Sequence, residues 1–168
     1  MSTPPEDLPP LAFRAVVRPE DIEDVQSLVR ATGFFSDEEV SIATELVEQR
    51  LAKGPASGYE FIFTEQGGSL IGYTCYGRVP LTRSSFDLYW IVVAPTMQGM
   101  GVGRRLLAET ERAVVRTGGT TLYAETSSRD QYAPTRSFYR ASGYSVAAEL
   151  SDFYAPGDSK IVFVKRLA

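Results

Sequence analysis

Residues 94–107 read APTMQGMGVGRRLL, with glycines at 99, 101 and 103 set between a strand-like run, WIVV at 90–93, and an amphipathic helical pattern. A helix N-terminus leaves backbone N–H groups unpaired and carries the positive end of the helix dipole, so it suits an anion. Glycines at that point admit a ligand close to the backbone and permit the angles that turn several amides toward one spot. Arg104 and Arg105 can add charge-assisted bonds to a phosphate. Two familiar loops fail on spacing. A dinucleotide fingerprint needs glycines at i, i+2 and i+5 directly after its strand, whereas i+5 here is Arg104 and APTMQ intervenes. A Walker-type phosphate loop needs Gly-Lys-Ser/Thr, which this stretch lacks.

Outward from the loop, FDLYWIVV (86–93) is too apolar to have a wetted face and reads as a central strand. On the other side, GRRLLAETERAVVRTGG puts Leu106, Leu107, Thr110, Ala113 and Val114 on one helical stripe. Near the N-terminus, FRAVVRPED reads as a strand ending at Pro19. PEDIEDVQSLVRATG reads as a helix with Pro19 and acids in its first turn and Gly33 as its stop. SDEEVSIATELVEQRLAKG is a second helix, with a Ser36/Glu39 capping box and Val40, Ala43, Leu46, Val47 and Leu51 as its stripe. YEFIFTE and SLIGYTCYGRV form a hairpin across Gly67-Gly68. TLYAETS is a strand, APTRSFYRASG a short helix, and YSVAAEL and KIVFVKRL are strands joined by SDFYAPGDS. The order β-α-α-β-β-β-α-β-α-β-β describes an α/β domain with a mixed sheet.

The 168 residues suit one domain, with 1–12 as a flexible proline-rich tail and 13–168 as the folded unit. A net charge of −4 disfavours nucleic acid as a partner, although residues 98–140 carry seven Arg against four Asp/Glu. Cys75 is the single cysteine and lies in an apolar run, so a buried structural thiol and a reducing, cytoplasmic location are expected. The absence of histidine removes Ser-His-Asp and Cys-His triads and most zinc sites, and no metal is expected. The proline-rich, acidic N-terminus does not read as a signal peptide, and no apolar run reaches membrane-spanning length.

VAPTMQGMGVGRRLL resembles the acetyl-CoA-binding segment of GNAT-superfamily N-acyltransferases, roughly V-x-P-x-x-Q/R-G-x-G-x-G/A, and meets it at Val93, Pro95, Gln98, Gly99, Gly101 and Gly103. SFYRASGY (137–144) resembles that family's second signature, and the order of elements matches its fold over about residues 13–167. The resemblance implies a mostly antiparallel sheet of about seven strands, flanked by about four helices, with a splayed central strand pair. It implies that the amides of Gln98, Gly99, Met100, Gly101, Val102, Gly103 and Arg104 hold the pyrophosphate of acetyl-CoA, and that the strand at Ile91, Val92 and Val93 pairs with the pantetheine arm. Many members carry Asn where this chain has Tyr132, and alanine where it has Thr135, which alters the expected thiol channel.

By the same resemblance Tyr139 is the general acid that protonates the departing thiolate, a role its reference pKa of about 10 allows. The base is open between Asp87, expected on one face with Tyr89, Ile91 and Val93, and Glu125 on the following strand. An ion pair with an arginine is the competing role for Glu125. The acceptor pocket is expected from Phe34, Phe35, Tyr73, Tyr76, Tyr89, Asp152, Phe153 and Tyr154, with Arg78 or Arg83 clamping a substrate carboxylate. The implied activity is acetyl transfer to a primary amine in a ternary complex. The acceptor is a small amine, an amino acid or a protein N-terminus. The alternatives are a non-catalytic acyl-CoA-binding module on the same fold and a nucleotide-binding domain of another kind. KIVFVKRL suits either the seam of a homodimer or an interior strand.

Overall fold

Residues 10–167 are described by a computed structural model and form seven strands and four helices. In chain order these are β1 (Ala12–Arg14), α1 (Asp21–Ala31), α2 (Asp37–Lys53), β2 (Glu60–Gln66), β3 (Ser69–Arg78), β4 (Ser85–Val93), α3 (Val102–Arg116), β5 (Thr121–Ser127), α4 (Ala133–Ala141), β6 (Ser145–Ala155) and β7 (Asp158–Arg166). Of the expected tail over 1–12, residues 1–9 lie outside the described residues, and Ala12 already pairs with Glu65. The strand expected to run on to Pro19 ends at Arg14. There the Arg14 side chain turns to bind Asp21, Glu65 and the carbonyl of Val16, and the chain leaves the sheet.

The strands make one mixed sheet in the order β1-β2-β3-β4-β5-β7-β6, in which only β4 and β5 run parallel. β7, the strand KIVFVKRL, is interior, and β6 is the edge. The β2–β3 turn places Gly67 and Gly68 at φ +58° and +81°, as a tight two-residue hairpin requires. α1 and α2 cover one face, where Val25, Val29, Val40 and Val47 pack on Phe61, Phe63 and Tyr73. The capping box forms: Ser36 donates its N–H to Glu39 Oε2 at 2.8 Å, and its Oγ accepts from Glu39 N–H at 3.2 Å. Leu51 is exposed, and Thr44 takes the buried place its side of the stripe was expected to fill. α3 and α4 cover the other face, where Leu106, Leu107, Val114 and Tyr139 pack on Leu88, Leu122 and Phe163. Burying one such side chain contributes about 1.5–3 kcal/mol.

Two irregularities shape the centre of the sheet. β4 and β5 pair only from Ser85↔Thr121 to Leu88↔Ala124, and then separate. On the opposite side of β4, Tyr76 pairs with Leu88 but Cys75 pairs with Trp90, so Tyr89 is an extra residue, a β-bulge. One inserted residue reverses which face every later side chain occupies. Leu88, Ile91 and Val93 therefore share the α3–α4 face, and Asp87, Trp90 and Val92 the α1–α2 face. The expectation that Asp87 shares a face with Ile91 and Val93 is thus overturned.

Asp21, fully buried, ties β1 to the start of α1. It accepts from Arg14 Nη1 at 2.8 Å, Arg14 Nη2 at 2.5 Å and the Arg18 N–H at 2.7 Å. That bond, more than any other contact, raises the pKa of the Arg14 guanidinium. Removing Asp21 takes away two of the bonds of a guanidinium that is 13% exposed and leaves it with Glu65 and the Val16 carbonyl. Asp21→Ala should lower unfolding free energy by about 3 kcal/mol in urea denaturation. A loss under about 1 kcal/mol would show that water replaces the carboxylate.

Candidate active site

After β4 the chain makes a 3-10 turn over Pro95–Met97 and enters α3 through Gly101. Gly99 and Gly101 sit at φ +76° and +81°, where side chains are strained. At Gly103 a Cβ would make ordinary contacts, 3.4 Å from the Phe138 ring and 3.6 Å from Val93, where α3 begins against α4 and β4. Gln98 donates its own N–H to Pro95 O at 3.4 Å and its side-chain Nε2 to Val93 O at 3.2 Å. The next amide used by the fold is that of Arg105, bonded to Gly101 O. Among the described residues the backbone N–H groups of Gly99, Met100, Gly101, Val102, Gly103 and Arg104 have no acceptor. The free amides therefore start at Gly99; the Gln98 N–H is engaged within the loop, while the residue itself lines the neighbouring groove.

Ala94 donates its N–H to Ile71 O, toward β3. Alternation along a strand then turns the N–H and C=O of Ile91 and Val93 toward the gap, where β5 has moved away. A groove of about 520 Å³ runs from this bare edge to the loop, lined by Ile91, Val93, Gly99, Gly101, Gly103 and Arg104. Pro134, Thr135 and Phe138 of α4 wall its other side. Val92 and Val102 are buried, which leaves only their backbone for a ligand, whereas the Met100 side chain is exposed. Arg105 lies over the Phe13 ring at 5.6 Å and is not among the groove residues.

A second cavity, of about 350 Å³, meets the groove at Ile91 and Thr135, which line both. Its walls are aromatic: Phe34, Phe35, Tyr89, Trp90, Tyr132 and Tyr154. Trp90 comes from the α1–α2 face and Ile91 and Tyr139 from the other, so the cavity passes through the gap in the sheet. Tyr132, expected beside the pantetheine arm, packs edge-on against Phe34 at 4.9 Å and lines this second cavity.

The charges here are Glu39, Glu125, Asp158 and Arg129. Glu125 pairs with Lys160 at 3.0 Å, a lysine where an arginine was the expected partner. Asp158 accepts from Ser127 Oγ and pairs with Arg129 Nε at 3.3 Å. Asp87 is half-buried and lines neither cavity. Burial and then the charge of Glu125 raise its pKa, with Lys160 opposing. Tyr89 is pushed up to about 12, by burial first and Asp87 second. Tyr139 lines the second cavity at 4% exposure, packed on Phe163 and Tyr144, and its hydroxyl has no partner among the described residues. Burial raises its pKa above the usual tyrosine range.

Several expected acceptor residues lie elsewhere. Tyr73 and Tyr76 are core residues on opposite faces of β3. Arg78 stacks over Phe86 at 4.9 Å and donates to the carbonyls of Arg83 and Thr117, which fixes the Arg78 guanidinium, and the backbone of Arg83 beside it, at the end of β4 remote from Ile91. Asp152, at φ +54°, accepts from Gly157 N–H at 2.7 Å and shapes the β6–β7 turn. Phe153 lies under Lys160 Nζ at 4.4 Å, outside the cavity lining. Conversely, Trp90, Thr126, Arg129 and Asp158 were not expected at the site and line it. Thr126 Oγ1 is buried there without a partner. Among the described residues no group of three or more His, Cys, Asp or Glu side chains can hold a metal ion, and no helix is long and apolar enough to cross a membrane.

Because burial favours its neutral form, Tyr139 contributes stability that is fully present below about pH 10 and is lost as pH rises beyond that. Melting temperatures recorded between pH 8 and 11 should fall above pH 10, and less steeply for Tyr139→Phe. Parallel slopes would mean that Tyr139 ionises as freely in the folded chain as in the unfolded one.

The sequence profile of the acetyltransferase (GNAT) family matches residues 23–144. A GNAT-family chain from Desulfovibrio desulfuricans superposes with a TM-score of 0.93 at 47% identity, over 95% of this chain and 100% of that one. An aminoglycoside 6′-N-acetyltransferase complexed with coenzyme A gives 0.74 at 19% identity, over 94% and 97%. The ribosomal-protein-S18-alanine N-acetyltransferase from Escherichia coli gives 0.73 at 18% identity, over 94% of each chain. No curated protein sequence matches the chain. A glycine cradle with free amides, a bare strand edge and the agreement of profile with fold lead to one assignment: the chain belongs to the GNAT family of acetyltransferases.

Proposed function

We propose that the protein transfers the acetyl group of acetyl-CoA to a primary amine by direct attack within a ternary complex, and that residues 13–168 act as one acyltransferase domain. The observation that carries this is the junction at Ile91 and Thr135, where a groove ending in six unpaired amides meets an aromatic cavity. The amides of Gly99 to Arg104, with the Arg104 guanidinium, suit the pyrophosphate of CoA. The turned-out N–H groups of Ile91 and Val93 and the C=O of Ile91 suit the amides of the pantetheine arm, while Gln98 holds the C=O of Val93. An N–H at this edge polarises the thioester carbonyl as negative charge develops on its oxygen.

The amine nitrogen attacks the acyl carbon, the C–S bond breaks, and the thiolate takes the Tyr139 proton. Burial keeps that proton in place until a sulfur anion develops beside it. Glu125 has access to the cavity and takes the proton that the attacking nitrogen sheds. Asp87 stands near enough to Glu125 for that charge, after burial, to raise the pKa of Asp87 itself. The aromatic walls suit an acceptor with an apolar body, whether a small amine, an amino acid or a peptide N-terminus. The relatives that act on aminoglycosides and on a ribosomal protein support amines in general. The buried Cys75 thiol suits a cytoplasmic setting.

In thermal-shift assays acetyl-CoA and CoA should raise the melting temperature, and NAD and ATP should not; the reverse order would remove the assignment of the cradle. In a thiol-release assay with a panel of primary amines, Tyr139→Phe should lower kcat about 100-fold and leave the CoA-induced shift intact. Unchanged kcat would exclude Tyr139 as the acid. CoA binding without thiol release from any amine would favour a non-catalytic binding module.

A further inference from the structure

Thr126 is 6% exposed, and its Oγ1 is buried without a hydrogen-bond partner among the described residues. Buried hydroxyls are nearly always paired, because an unpaired one forfeits its bonds to water. The other orphaned atoms of this kind belong to Thr64, Tyr73 and Ser142, and none of those residues lines the second cavity. Thr126 does.

Its position follows from the two irregularities of the sheet. On β5, Ala124 is the last residue to pair with β4, and Thr126 is the next on the same face. On β4, the bulge at Tyr89 makes Ile91 the next residue on that face after Leu88. Thr126 and Ile91 thus stand on opposite sides of the opening wedge, and Ile91 also lines the donor groove. Thr126 lines only the acceptor cavity. Tyr139, with its own unpartnered hydroxyl, belongs to the core beneath that same face.

We infer that Thr126 is an acceptor-binding residue whose Oγ1, closed to solvent in this rotamer, swings about the Cα–Cβ bond to accept one N–H of the attacking amine. The nitrogen lone pair is then left to face the acyl carbon beside Ile91. The inference rests on the acetyl-transfer reading and adds a residue to it. It also explains why a hydroxyl stands where valine would fill the same space with no unmet hydrogen bond.

The test compares wild type, Thr126→Val and Thr126→Ser by titration calorimetry with two probes. One is CoA. The other is CoA whose sulfur is joined through –CH2–CO– to the nitrogen of 2-phenylethylamine, so that an N–H sits where the attacking nitrogen would be. Thr126→Val should weaken the conjugate at least 10-fold, leave CoA affinity unchanged and melt no lower than wild type. Thr126→Ser should retain most of the conjugate's affinity. A Val variant that binds the conjugate as wild type does would overturn the inference alone. So would equal losses for both probes with a lowered melting temperature, the mark of a packing residue. If wild type binds no CoA, the acetyl-transfer reading falls and takes this inference with it.

Discussion

Beyond Leu88 and Ala124 two neighbouring parallel strands stop exchanging hydrogen bonds, and both cavities exist because they do. Backbone N–H and C=O groups are rarely left bare inside a fold, so such a separation needs a cause. Here the bulge at Tyr89 supplies one by increasing the local twist of β4 just where pairing with β5 ends. The start of α3, packed against Phe138 of α4 and Val93 of β4, occupies the flank of the wedge. The buried bond between Thr74 and Thr110, 2.7 Å long, fastens α3 to β3 so that the wedge keeps its shape.

From that opening follow two sites of different material. The groove is mostly peptide: amides at the mouth of α3 and the bare edge of β4. The second cavity is mostly side chains, aromatic around its walls, with charges held in pairs at Glu125–Lys160 and Arg129–Asp158. Burial has opposite consequences in the two. It leaves the peptide donors strong by excluding competing water, and it holds the Tyr139 proton firmly on its oxygen.

The loop and the helices were legible because their signals are local. Glycines before a helical stripe, a Ser36/Glu39 box and a Gly67-Gly68 turn each declare themselves within a few residues. The buried stripe of α3 over Leu106, Leu107, Thr110, Ala113 and Val114 is the one its spacing gives. The residues of the second cavity were harder, because they depend on a register that one residue can shift. Counting by twos from Asp87 reaches Ile91 only if no bulge intervenes, and nothing in FDLYWIVV announces that Tyr89 is extra. Arg78 and Arg83 looked available as charges, but the stacking of Arg78 on Phe86 and its bonds to two carbonyls are tertiary facts. Thr126 did carry a signal, since Leu122, Ala124 and Thr126 alternate onto one face of their strand. What the alternation lacks is any mark that the next strand has departed.

The contrast between a site made of peptide and one made of side chains bears on how such a chain can diverge. A main-chain cradle survives almost any substitution that keeps the path of the loop, with Gly99 and Gly101 as its strict positions. The aromatic chamber changes with every replacement at Phe34, Tyr132 or Tyr154. Descendants of this protein can therefore remodel the chamber while inheriting the peptide groove intact.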